Sequence, residues 1–123
     1  MRIGTALALS ALMVLPVHAA PTTSTGRISV TQVMEMVDLA RTDAKARNTI
    51  IAYLAGIGET AGLMVSEAVA RGARPVNCTK SFNLSEDVAV AALKAGAPDG
   101  ANWNETPATP LILADLFARA GCN

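Results

Sequence analysis

One stretch limits what this chain can fold into more than any other: residues 42–71, TDAKARNTIIAYLAGIGETAGLMVSEAVAR, the longest uninterrupted helical pattern in the sequence. Its apolar residues Ile50, Leu54, Ile57, Ala61, Met64 and Ala68 step by four and three in alternation, which keeps one face of a helix turned toward a core. The pattern predicts a central helix that the rest of the chain covers. Inside it lie Gly56, Gly58 and Gly62. Each costs a helix about 1 kcal/mol relative to alanine, so their presence asks for a packing reason. Ala55, Gly58 and Gly62 fall on one side, where nearly bare backbone admits the close approach of another helix, either from the same chain or from a second copy.

Residues 1–19 read as an export signal rather than as structure. Arg2 gives a positive start, residues 3–15 are an apolar run, and Val17, His18 and Ala19 lead to a cut after Ala19. A spanning helix needs about 20 apolar residues, so the run is too short to remain in a membrane. The expectation is a periplasmic protein. Removing 19 of 123 residues leaves 104, enough for one small domain that buries roughly 65% of its unfolded surface. Nine basic residues then face ten acidic ones, a balance that offers no basic patch for nucleic acid.

The two cysteines, Cys78 and Cys122, make an even count in a chain bound for an oxidising compartment, which argues for a disulfide. Closing so long a loop stabilises a fold by about 4 kcal/mol on the chain-entropy argument.

In chain order, residues 20–28 show no apolar periodicity and predict a flexible leader ahead of a helical domain at 29–123. Ser29 and Gln32 form a capping box, followed by Val33, Met36, Val37 and Ala40 at helical spacing. Thr42 is the expected cap of the central helix, unless the two helices run on as one bent piece. Gly72 and Pro75 end it. Ser85 caps a third helix whose run VAVAALKA, apolar nearly all round, is expected to be largely buried, and Gly96 and Pro98 stop it. Either Thr106-Pro107 or Thr109-Pro110 starts the last helix, with Leu113, Leu116, Phe117 and Ala120 inward and Gly121 at its end. The predicted fold is all-α, a small orthogonal bundle of four, or five, helices with one disulfide.

The residues leave little room for catalysis. The sole histidine, His18, lies in the signal, and both thiols are expected to be oxidised, so nucleophilic chemistry and a zinc or copper site both lack their groups. No glycine-rich phosphate cradle follows a strand, and no cofactor is implied. Glu35 with Asp38, and Glu86 with Asp87, read as a solvated helix face and a dipole-matched first turn. The sequence points to a binding protein rather than an enzyme. Asp99, Asn102, Trp103, Asn104 and Glu105 lie in one inter-helix connection and are the candidate partner contacts, with Trp103 either an exposed anchor or a lid on the core.

Taken together, Tyr53-Leu54-Ala55-Gly56-Ile57 on the central helix, Cys78, the apolar helix ending near Leu93, and Leu111-Ile112-Leu113-Ala114-Asp115-Leu116-Phe117 running into Cys122 resemble the Rap/Tai family of periplasmic immunity proteins. The resemblance spans about residues 33–122 and makes Tyr53 and Gly56 family positions. It implies a small helical protein, often dimeric, that blocks a peptidoglycan amidase delivered by type VI secretion. Many members carry another cysteine just before the Tyr-x-x-Gly element, where this chain has none. From other classes, a small periplasmic acid-stress chaperone and a structural envelope subunit are the alternatives.

Overall fold

The computed structural model describes residues 22–72 and 78–122, and the fold is stated for those residues. The signal segment, its cut after Ala19, and Pro75 as a helix stop lie outside them. The described residues form an all-α bundle: α1 (Val30–Ala40), α2 (Ala44–Ala70), α3 (Glu86–Gly96), a single 3-10 turn (Gly100–Asn102) and α4 (Ala108–Ala120). One disulfide joins Cys78 to Cys122 across 44 positions. Extended pairing among the described residues is confined to two isolated bridges, Ser29 with Pro107 and Cys78 with Cys122.

The caps explain where the helices begin. Ser29 Oγ accepts from the Gln32 amide at 3.1 Å, half of the expected capping box. The return half is not made: among the described residues, the buried Gln32 Oε1 has no hydrogen-bond partner. Between α1 and α2 the chain breaks, and the two are separate helices. Asp43, not Thr42, caps α2, its Oδ1 accepting from the Ala46 amide at 2.7 Å. Thr42 instead closes the end of α1, its backbone N–H donating to Leu39 O at 3.1 Å. A carboxylate is also well suited to the positive end of a helix dipole. Neither predicted threonine caps α4. Its first residue, Ala108, donates its N–H to Ile28 O at 2.9 Å, while Val30 N–H donates to Thr106 O at 2.9 Å. A strap of residues just ahead of α1 therefore supplies backbone where a side-chain cap was expected.

The strap is the stretch whose composition suggests a mobile leader. Residues 22–28 instead carry a turn of their own: Gly26 N–H donates to Thr23 O and Thr23 N–H to Arg27 O, both at 2.9 Å, and Thr23 is buried. Short polar residues satisfy their own backbone groups here, a source of order that apolar periodicity does not register.

Ala46, Ile50, Leu54, Ile57 and Ala61 form the buried line of α2, and the first four pack with Val30, Val33 and Val37 of α1, Ala89 and Leu93 of α3, and Ala108 and Ile112 of α4. The predicted core face stops there. Met64 is 64% exposed, and Leu63 and Val69 are exposed with it. The cause is length: 27 residues make a helix about 40 Å long, while the 13 of α4 reach about 20 Å, so no helix among the described residues covers the last turns. The other apolar run, on α3, buries one side only, at Ala89, Ala92 and Leu93.

Among the described residues the glycines of α2 do not mark a close approach: a methyl group built on Gly56, Gly58 or Gly62 meets none of them within 4 Å. The tight contact lies elsewhere, at Gly96 of α3, where a Cβ would come within 2.9 Å of the Leu111 side chain of α4. Gly121 closes α4 in the left-handed region at φ 62°, against the Thr79 side chain. Gly121→Ala is therefore expected to lower stability by about 2 kcal/mol. Gly62→Ala should raise it by about 0.5–1 kcal/mol, since only helix propensity changes. Urea unfolding of the oxidised variants measures both.

Candidate functional site

The connection from α3 to α4 is a knot of short-range bonds. Asp99 Oδ1 accepts from the Ala101 amide at 3.0 Å and its Oδ2 from Asn102 Nδ2 at 3.1 Å, which fixes the 3-10 turn. Asn102 O then accepts three donors: the amides of Glu105 and Thr106, each at 3.0 Å, and Thr106 Oγ1 at 2.8 Å. Trp103 is the lid, half-buried against the core, with its indole N–H donating to Ala97 O at 2.8 Å. That satisfies the polar end of a ring whose apolar body packs inward. Of the five candidate contacts, Asp99, Asn102, Asn104 and Glu105 remain at the surface and Trp103 does not stand free.

Glu105 has a second task. Its Oε2 accepts from the Ser24 amide at 3.0 Å and from Ser24 Oγ at 2.8 Å, tying the strap to the loop. These two bonds, the backbone one foremost, hold the Glu105 carboxyl below its ordinary pKa. A depressed carboxylate contributes this tie above its unfolded pKa and loses it as pH falls through the folded value.

Tyr53 and Gly56 sit on the α2 side that faces α4. Tyr53 Oη and Thr109 Oγ1 lie 2.9 Å apart and bridge the two helices. Burial raises the Tyr53 pKa, and the Thr109 bond offsets part of that, so the phenol stays protonated at neutral pH. Around this bridge three recesses meet. One of about 120 Å³ lies between α1 and α2 and is lined by Met36, Ile50 and Tyr53 among others. One of about 470 Å³ runs between α2 and α4, with Tyr53, Gly56, Ile57, Met64, Leu113 and Phe117 in its walls. One of about 360 Å³ lies between the strap and α4, bounded by Ile28, Pro107 and Leu113. Gly56 adds no side chain to the wall of the middle recess. The lining is apolar with a few hydroxyls and two methionines, the composition of an adaptable contact surface.

This belt was not legible as a site. Tyr53 and Gly56 carry only a family signal in the sequence; Met36, Thr109 and Leu113 come to them through the packing of three elements distant in sequence. The sole available clue was spacing, since Tyr53, Ile57, Thr60 and Met64 share one side of a helix.

At the far end of α4, Cys78 and Cys122 are joined. Lys80 N–H donates to Ala120 O at 3.0 Å, and the Phe82 ring meets Phe117 edge-on at 5.5 Å. The segment after Cys78 is thereby laid along α4. Among the described residues no three histidine, cysteine, aspartate or glutamate side chains converge as a metal site would require. The paired carboxylates stay apart as surface groups: Asp38 reaches Arg41 at 3.6 Å, and Glu86 and Asp87 open α3. Comparison of the chain with family models, with curated proteins and with solved structures finds no match.

Two measurements check this geometry. Trp103→Ala should cost about 2–4 kcal/mol, as for a core aromatic, where loss of an exposed anchor would leave unfolding unchanged. In an NMR titration, the Ser24 amide shift should follow the Glu105 carboxyl with a midpoint below that of an ordinary glutamate, and Glu105→Gln should abolish the titration.

Proposed function

We propose that this chain is an exported binding protein that docks a protein partner, and that it acts as an immunity-type inhibitor of a peptidoglycan amidase, covering that enzyme's active-site groove. What supports the reading most is the surface: a rigid loop of exposed acceptors at Asp99, Asn102 and Asn104, braced from below by Trp103 and Glu105. A loop held this firmly loses little freedom when it enters a groove, which favours binding. The resemblance supplies the class of partner. An apolar, methionine-bearing belt beside Tyr53 offers a second contact area of the adaptable kind.

Exposed Leu63, Met64 and Val69 favour a second reading, since a chaperone would hold unfolded clients on such a surface. The two readings separate in one assay. The mature protein is titrated into a purified cysteine amidase encoded beside it and, in parallel, into an aggregating client at low pH.

For the inhibitor, Asn104→Arg is expected to weaken amidase inhibition by about tenfold or more while leaving the melting temperature unchanged, because Asn104 is exposed. Suppression of aggregation with no inhibition of the amidase would select the chaperone.

A further inference from the structure

Among the described residues one buried side-chain atom has no hydrogen-bond partner, Gln32 Oε1. A buried acceptor left without a donor lowers stability, and native folds keep few of them without a reason. Gln32 is also a wall of the recess of about 120 Å³ between α1 and α2. The orphaned oxygen and the recess belong to the same place.

The rest of that lining is apolar or already bonded. Val33 and Ile50 belong to the core, Met36 and Tyr53 are half-buried, and Ile28 and Thr49 are exposed, so the recess is open to solvent on their side. Thr49 Oγ1 donates to Lys45 O at 2.9 Å, and Tyr53 Oη is paired with Thr109 Oγ1. Gln32 is left as the one side-chain acceptor of the lining with no bond.

Size and chemistry together select the occupant. An apolar cavity of about 150 Å³ holds benzene. A recess of about 120 Å³ with an open side therefore takes a single six-membered ring and not the fused pair of an indole. A lysine or arginine head would lose its hydration among these walls. A phenylalanine or leucine side chain would fill the space and leave Gln32 Oε1 unpaired. A phenol does both tasks, since its ring meets the apolar walls and Tyr53 while its hydroxyl donates to the orphaned oxygen. The last torsion of a glutamine side chain is soft, so the amide turns to meet the donor at little cost. A lone water is the competing occupant, but a buried water wants two to four polar partners and this lining is mostly hydrocarbon.

The surface around the opening indicates that the ring arrives on a polypeptide. Ile28 is shared with the recess between the strap and α4, and Tyr53 with the recess between α2 and α4, so apolar surface continues on two sides. A free phenol would leave that surface bare, whereas the residues flanking a tyrosine would cover it. Tyrosine is also enriched among the side chains that anchor protein interfaces. We infer that the recess walled by Gln32, Met36 and Tyr53 is the socket for one tyrosine side chain of a protein partner, inserted hydroxyl first and hydrogen-bonded to Gln32 Oε1. The inference rests on the reading of this chain as one that docks a protein, not on that protein's being an amidase.

The probes are p-cresol and toluene, the tyrosine and phenylalanine side chains cut at Cβ, titrated into the oxidised protein and followed by amide NMR. p-Cresol is expected to bind with a dissociation constant in the millimolar range, as suits so small a ligand, and to shift the amides of Gln32, Met36 and Tyr53. Gln32→Met keeps the length of the side chain and removes the acceptor. In that variant the ratio of p-cresol affinity to toluene affinity should fall about three- to tenfold, with the melting temperature unchanged or raised. An acetylated, amidated leucine-tyrosine-leucine peptide should bind about tenfold more tightly than p-cresol, and more tightly than its phenylalanine counterpart.

The inference is overturned by the absence of p-cresol shifts at about 20 mM, or by an affinity ratio that Gln32→Met leaves unchanged. A tyrosine peptide that binds no better than p-cresol would also overturn it, by making the recess a pocket for free phenols. None of these probes is an enzyme, so failure here leaves the inhibitor reading to its own assay.

Discussion

Ala46, Ile50, Leu54, Ile57 and Ala61 lie in one line along α2, and α1, α3 and α4 all pack against that line. A helix hidden on one side needs neighbours only as long as the face it must bury. Here the neighbours run 11 to 13 residues and the central helix 27. The mismatch sets the character of the molecule: a well-packed body at one end of α2, and an apolar rod leaving it at the other. The exposed methionine, leucine and valine side chains of the rod follow from it.

The body is closed at its margins by backbone and polar bonds rather than by more apolar packing. Residues 22–29 pair with the entry to α4, Glu105 holds the strap, and Trp103 seals the turn between α3 and α4. At the other end the disulfide and Gly121 fasten the segment after Cys78 to α4. These closures stiffen the loops without occupying their outward sides. In an inhibitor that arrangement fits the task, because a loop already fixed in shape loses less entropy on entering an active-site groove.

Some of the site was readable and some was not, for definite reasons. The disulfide could be expected from an even cysteine count in a chain whose first residues read as an export signal. The loop of residues 99–105 could be marked because it gathers the only tryptophan with amides and carboxylates. That Trp103 faces inward and Glu105 serves the strap could not be read, since each depends on a partner far off: Ala97 O is made available by the end of α3, and Ser24 lies 81 positions away. The recesses around Tyr53 are still less legible, being spaces between side chains of separate elements.

By itself the sequence determined the helices and one core line, because periodicity, caps and helix stops act within a few residues. It also held the glycine line of α2, whose spacing is local. Only the tertiary structure decided that no part of the described chain closely approaches those glycines, that the leader is a strap, and that the close helix contact falls at Gly96. Those outcomes depend on the relative lengths of packed helices and on bonds between distant segments. A chain's local pattern fixes which surfaces are apolar, whereas packing fixes which of them remain uncovered.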